Sequence, residues 1–338
     1  MLRSLRGPAS GRRVIPLAQH KRLYLDAMEL RKSTGWDHRQ IAAELEHRYG
    51  TRVPGITVYF WISGRSNPIG RWNIFELKPS RELAYVLGVM KGDGFRTTDQ
   101  PRGKEEIRLR VRDLDFAEHF NRAVAHILER ERPNKMGFES IEDKDGATFF
   151  HARYSSIQLA EVLDREFNDL RPIAEEYPGD FLQGFFDSDG SASPDIHKGR
   201  LSLKVQASNT NLHTLSYAQN LMLEKFNVVS SIYPGRGAGY SSLVYHKVVT
   251  KRKPSYVLTT GERESVRTFS RAIGFSIRRK QCVLDDGLGL LDRFGSRGAA
   301  SRGPDLYERT GRRWTKKRES ALRSLESKAT KSAVGKGF

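Results

Sequence analysis

Residues 83–94 read LAYVLGVMKGDG, and residues 179–190 read GDFLQGFFDSDG. Each is an apolar stretch of helical length closed by an aspartate and a glycine, Asp93-Gly94 in the first and Asp189-Gly190 in the second. A single Asp-Gly ending is an ordinary way to stop a helix in a turn. Two matching endings in one chain imply an internal duplication. Within the first segment Gly88 and Gly92 are four residues apart, as are Gly184 and Ser188 in the second. Small residues at that spacing line one helical stripe and let two backbones approach closely. The larger positions, Val86, Leu87, Val89, Met90, Leu182, Phe185 and Phe186, are left for the surrounding core. If the stripes meet, Asp93 and Asp189 come together among helix-end carbonyls. That oxygen-rich, negative pocket calls for a hard divalent cation such as Mg²⁺.

The sequence behind each segment alternates strands and helices. Residues 95–100 and 107–112 read as a β-hairpin, in which Ile107, Leu109 and Val111 alternate with Arg108, Arg110 and Arg112. A helix is expected at 115–129, a second hairpin within 135–154 and a helix at 156–167. The second copy repeats this order. Leu201, Leu203 and Val205 alternate with Arg200, Ser202, Lys204 and Gln206, and helices are expected at 210–226, 262–273 and 278–291, with strands near 228–234, 242–250 and 255–260. A strand with arginines on one face can be a charged edge that resists aggregation. In a chain of net charge +18, a β-ribbon laid into the major groove of DNA is the stronger reading.

The charge itself restricts function. With 58 Lys+Arg against 40 Asp+Glu in 338 residues, the chain carries the electrostatic footprint of a polyanion binder. No run of 18 apolar residues is present, which argues against a membrane partner. Cys282 is the only cysteine, so an intramolecular disulfide and a thiolate zinc site are both excluded.

Upstream, residues 20–66 resemble a helix-turn-helix. A helix over 20–32 carries Leu23, Ala27 and Leu30 on one face. Asp37 is placed to cap a second, with Ile41, Ala42 and Leu45 inward and Gly50 as its stop. Ile56, Val58, Trp61 and Ile62 mark a third, which would turn Thr57, Tyr59 and Phe60 outward and bring Arg65 to phosphate or base. The plain alternative is a three-helix bundle that only packs on its neighbour. The expected organisation is a basic arm at 1–19, the helix-turn-helix at 20–66, a linker at 67–79, two repeats at 80–172 and 173–291, and a flexible basic tail at 292–338. The first 25 residues contain arginines but no acid. That composition resembles a mitochondrial transit peptide, but the preferred reading is an arm along a phosphate backbone in a prokaryotic cytoplasm, at the nucleoid.

The paired segments resemble the motifs of the LAGLIDADG homing endonucleases of the monomeric, two-motif type, with Val86–Gly94 and Leu182–Gly190 aligned to the nine-residue motif. The resemblance covers about residues 80–291. It implies an α+β fold, a pseudo-symmetric duplicated αββαββα arrangement with two saddle-like antiparallel sheets, joined here to the small all-α helix-turn-helix. It implies that Asp93 and Asp189 are the metal-binding acids, with backbone carbonyls of Gly92 and Ser188 as further ligands and Mg²⁺ or Mn²⁺ as cofactor. Basic residues near each site are expected at Arg278 or Lys280 in the second repeat and at Arg171 in the first. Arg108, Arg110, Arg112, Arg200, Lys204 and Gln206 would contact DNA, along with Thr57, Tyr59 and Arg65. The implied activity is double-strand cleavage at a long site where an intron inserts. The alternatives are a catalytically silent DNA-binding regulator and a maturase whose partner is intron RNA. One departure stands out: Lys91 occupies the sixth motif position, where the second copy has Asp187.

Overall fold

The computed structural model describes residues 17–68, 78–99, 104–140, 148–244, 247–250, 252–310 and 313–316. Most of the expected N-terminal arm and linker, and the chain beyond 316, lie outside these. The described residues fall into two compact units whose boundary cuts across the sequence repeats. One unit draws on Met1–Leu77, Phe95–Arg108 and Arg153–Arg165, the other on Lys78–Gly94, Leu109–Ala152 and Glu166–Phe338.

The first unit begins with three helices, α1 (Leu17–Thr34), α2 (His38–Tyr49) and α3 (Gly55–Ile62). Their shared core holds Leu23, Ala27, Leu30, Ile41, Ala42, Leu45, Val53, Val58 and Trp61. Asp37 caps α2 as expected. Its carboxylate accepts from the backbone N–H groups of Arg39 (2.8 Å) and Gln40 (2.9 Å), while the Gln40 side chain accepts from the Asp37 N–H (3.0 Å). This reciprocal arrangement satisfies donors that a helix start otherwise leaves unpaired. Asp37→Ala should cost about 1 kcal/mol of the unit's stability, measurable by denaturant titration; an unchanged midpoint would refute the cap. Gly50 ends α2 at φ 60°, a left-handed conformation that glycine adopts without penalty. Ile56 differs from expectation. It is exposed, while Val58 and Trp61 fill the inward face of this short helix and Ile62 packs against the same core.

The expected αββαββα order appears twice. The first copy runs α4 (Arg81–Met90), β1 (Phe95–Asp99), β2 (Lys104–Val111), α5 (Leu114–Ile127), β3 (Gly137–Ser140), β4 (Thr148–Ser155) and α6 (Ile157–Leu163), followed by α7 (Phe167–Glu176). The second runs α8 (Pro178–Asp189), β5 (Gly190–His197), β6 (Arg200–Asn209), α9 (Leu212–Phe226), β7 (Ser231–Pro234), the short pair β8 (Ser241–Val244) and β9 (Lys247–Thr250), β10 (Tyr256–Thr260), α10 (Arg263–Ala272) and α11 (Arg278–Leu306). Two four-stranded antiparallel sheets result, ordered β1-β2-β4-β3 and β5-β6-β10-β7. Ile107, Leu109 and Val111 are buried, as are Leu201, Leu203 and Val205. The apolar half of each alternation thus faces the core.

The segment expected to be a flexible tail from 292 is structured as far as 316. Helix α11 continues to Leu306 through a break at Gly295 (φ 64°). Strands β11 (Tyr307–Thr310) and β12 (Arg313–Lys316) then pair as a hairpin. Tyr307 anchors this end, being fully buried with its hydroxyl donating to the Val283 carbonyl at 3.1 Å. Arginine-rich composition suggested a loose tail, but alanines and glycines spaced along α11 let it lie close on the second sheet. No described helix is long and apolar enough to cross a membrane.

Candidate active site

The two motif helices touch along the small-residue stripe. A Cβ placed on Gly88 would lie 2.1 Å from the Phe181 carbonyl oxygen, and one on Gly184 would lie 2.1 Å from the Tyr85 carbonyl oxygen. Each glycine thus faces the carbonyl three residues before the other, a reciprocal contact that preserves the duplication's symmetry. A turn further on, a Cβ on Gly92 would meet the Ser188 Cβ at 2.4 Å and the Asp189 carboxyl carbon at 3.2 Å. The Ser188 hydroxyl donates to the Gly184 carbonyl at 3.1 Å. Close packing of α4 on α8 therefore delivers the Asp189 carboxyl to the end of the first motif.

Asp93 keeps a face open to solvent. The protein crowded around it raises its carboxyl above the ordinary value, against the pull of Lys280. Asp189 is half-buried, and its carboxyl is pushed up to about 7, by burial first and further by the negative charge of Asp93. A hydrogen bond from Asn209 and the charge of Lys280 oppose the rise. Two carboxyls that repel each other in a partly desolvated site are suited to a hard cation. Among the described residues, no group of three or more His, Cys, Asp and Glu is arranged to hold a metal. The acid pair is the oxygen-donor chemistry that a hard divalent cation takes.

Asn209, at the end of β6, was not apparent from the sequence. Its Nδ2 donates to Asp189 Oδ2 at 2.5 Å and to the Lys91 carbonyl at 3.1 Å, while its Oδ1 accepts from the Asn211 N–H at 2.7 Å. One side chain thereby ties the second acid to the backbone of the first motif. A strand-terminal asparagine in a polar stretch gives no periodic signal.

Lys280 is brought to the site, in a different manner from the one anticipated. It is only 6% exposed, and its ammonium donates to the carbonyls of Phe186 (3.2 Å) and Asp187 (2.6 Å). A cation at the C-terminal end of α8 complements the helix dipole. Burial pulls Lys280 down to about 8, with Asp187, Asp113 and Asp93 opposing. Asp187, 1% exposed, accepts from Tyr85 Oη (2.9 Å), the Ser276 N–H (2.9 Å) and the Ser276 hydroxyl (2.5 Å). The sixth motif position of the second copy is therefore a structural lock between α4, α8 and the turn into α11. In the first copy, Lys91 at this position instead sets its ammonium 4.8 Å from the Phe167 ring centre.

Arg278 is exposed, and its backbone N–H donates to Asp115 at 2.6 Å. Its neighbour Arg279 grips Asp113 with two hydrogen bonds, at 2.6 and 2.8 Å. Arg171 is engaged elsewhere: it pairs with Glu175 at 3.4 Å and lies 5.2 Å from the Tyr217 ring centre. Helix α7 turns it toward α9.

The expected DNA-contacting residues are placed as follows. Arg108 bonds Glu106 on its own strand. Arg110 bonds Glu139 at 2.9 Å and stacks 4.1 Å from the Phe149 ring centre, which the exposed Arg112 also approaches, at 5.3 Å. Arg200 is exposed, Lys204 pairs with Asp195 at 2.8 Å, and Gln206 donates to Thr259 at 3.0 Å. On α3, Thr57 and Tyr59 are half-buried, and Arg65 lies 5.5 Å from the Tyr59 ring centre.

Comparison with known proteins gives a family match over part of the chain. Residues 176–274 match the family model described as a LAGLIDADG-like domain. An uncharacterized protein of Methanocaldococcus jannaschii is 29% identical over 268 residues, covering 78% of this chain and 92% of its own. Among solved structures, I-DmoI in complex with DNA and Mn is 17% identical with a TM-score of 0.39, covering 58% of this chain and 98% of its own. Full-length DUF199/WhiA from Thermotoga maritima is 16% identical with a TM-score of 0.39, covering 76% and 70% respectively. Residues 176–274, across the second of the two αββαββα repeats, thus carry a LAGLIDADG-like domain.

Proposed function

We propose that the chain is a divalent-metal-dependent, site-specific endonuclease that acts as a monomer and hydrolyses both strands of duplex DNA, as intron-homing enzymes do. The observation that carries this reading is the juxtaposition of Asp189 with the end of the first motif, in a chain of net charge +18. Asp93 and Asp189, with the backbone carbonyls of Gly92 and Ser188, would hold Mg²⁺ or Mn²⁺. When bound, the metal supplies Lewis acidity and a more acidic water at the scissile phosphate. Hydrolysis joins a water oxygen to phosphorus, breaks the P–O3′ bond and leaves the proton on O3′. Asn209 holds the Asp189 carboxylate in one orientation. Lys280 fixes the C-terminal carbonyls of α8 and adds positive charge beside the phosphate. Arg110, Arg112 and Arg200, along with Thr57, Tyr59 and Arg65 of the N-terminal helices, are assigned to the duplex. Steep loss of affinity with rising salt follows from many phosphate contacts.

The test is incubation of the full chain with a plasmid library of random inserts and Mg²⁺ or Mn²⁺. Recovery of linear product from particular inserts supports the reading. Tight binding of selected duplexes without cutting, across both metals and a range of temperature, would overturn it in favour of a non-cleaving DNA-binding protein. Asn209→Ala should lower the cleavage rate about 10–100-fold, as expected for a residue that orients a metal-binding carboxylate. Duplex affinity should hold. A loss of affinity with an unchanged single-turnover rate would assign Asn209 to DNA contact instead.

A further inference from the structure

The two repeats differ most in one connection. In the first sheet β3 is joined to β4 through residues 141–147, IEDKDGA, with three acids and one lysine. In the second sheet the equivalent strands, β7 and β10, are separated by residues 235–255, GRGAGYSSLVYHKVVTKRKPS. This insertion contains Arg236, Lys247, Lys251, Arg252 and Lys253 and no acid, and the acid-free stretch runs from Lys225 to Gly261.

The insertion is rooted and paired. β7 and β10 pair as far as Pro234 opposite Tyr256. The ladder then continues: the Gly235 N–H donates to the Ser255 carbonyl (2.7 Å), and the Ser255 N–H donates to the Arg236 carbonyl (2.9 Å). The Ser255 hydroxyl accepts from the Arg236 N–H at 3.1 Å, and Ser255 is 4% exposed. Farther out, β8 and β9 pair from Ser241 opposite Thr250 to Val244 opposite Lys247. Tyr233, Arg236, Tyr240, Arg252 and Lys253 are exposed, and Arg236 stacks 4.4 Å from the Tyr240 ring centre. No carboxylate pairs with Arg236, Arg252 or Lys253 among the described residues.

A projecting hairpin needs some charge to deter edge-to-edge pairing. Surface charge that serves solubility is mixed in sign, whereas five cations without an acid repel one another, and a polyanion relieves that repulsion. A two-stranded ribbon is also narrow enough for the major groove, which is about 12 Å wide. We propose that residues 235–255 form a duplex-DNA-binding arm that serves the second half-site alone and contacts backbone phosphates beyond the four-stranded sheet. The acidic connection at the same place in the first repeat leaves the other half-site without such an arm.

This inference rests on the DNA reading of the site. It is tested with the full chain on a duplex recovered by the wild type from a randomised pool. The variant R236A/K247A/R252A/K253A should shorten the hydroxyl-radical footprint on one side only. It should reduce the slope of log affinity against log salt by roughly 3 to 4, one phosphate contact per charge. The milder variant R252Q/K253Q, at two exposed positions, should produce about half that change in slope. The single-turnover cleavage rate at saturating protein should be unchanged in both. A wild-type footprint and slope in both variants, or equal shortening on both sides, would overturn the arm. A wild type that recovers no duplex from the pool would overturn the DNA reading itself, a different result.

Discussion

Asp189→Asn is expected to abolish double-strand cleavage, lowering the rate by at least roughly three orders of magnitude, about 4 kcal/mol of barrier, while duplex binding is kept. The substitution preserves shape, and an amide oxygen at residue 189 can still accept from Asn209. What disappears is the negative charge that would hold a cation between the motif ends. Removing it beside a phosphate backbone should leave affinity equal or tighter. Stability supplies the control. Burial and Asp93 raise the Asp189 carboxyl to about 7, well above its unfolded value. Above that unfolded value, keeping the carboxylate in the fold is therefore unfavourable, and the amide should melt no lower than the wild type at pH 8. Asp93→Asn should show the same loss of cleavage. A variant that still linearises its target at a wild-type rate would remove the acid pair from the chemistry. One that melts several degrees lower would make Asp189 a structural residue.

The parts of this site legible in the sequence are those carried by regular spacing. Gly88, Gly92, Gly184 and Ser188 announce a close helix pair because a helix returns every fourth residue to the same face. The alternation around Ile107 and Leu203 announces half-buried strands for the corresponding reason. Asp37 and Gly50 are local signals, each acting within one turn of α2. Asn209 had no such signal. It bonds the carbonyl of Lys91 at a separation of 118 residues, so its role depends on where β6 ends relative to α4. Lys280 was recognisable as a basic residue near the second motif, but its burial against the Phe186 and Asp187 carbonyls follows from the packing of α11. The same limit applies to Arg171. The resemblance implied it as the basic residue near the first site, while helix α7 carries it to Tyr217. Asp187 stood out in the sequence only as the counterpart of Lys91 at the sixth motif position, and three hydrogen bonds make it a lock.

The largest loss of stability is expected at the stripe itself. Gly88→Ala and Gly184→Ala each place a methyl group 2.1 Å from a backbone carbonyl oxygen of the facing helix. No rotamer change relieves that contact, because the obstacle is main chain, so α4 and α8 must separate. Overpacking in a core costs typically about 1–3 kcal/mol, and a backbone obstacle on the central helix pair places these variants at or above the upper end. A loss of about 3 kcal/mol corresponds to a fall in Tm of roughly 4 °C in a protein of this size. Gly289→Ala is the matched control, since a methyl there meets nothing within 4 Å. In helix α11 that change should be neutral or stabilise by about 0.5–1 kcal/mol. Gly92→Ala separates packing from chemistry. Its methyl meets the Ser188 Cβ at 2.4 Å and crowds the Asp189 carboxyl carbon at 3.2 Å, side-chain atoms at the acid rather than backbone of the facing helix. It should therefore lose more cleavage than stability, the reverse of the other two. Thermal melting and single-turnover cleavage of the four variants test this order, and equal Tm values for Gly88→Ala and Gly289→Ala would show that the two motif helices do not meet backbone to backbone.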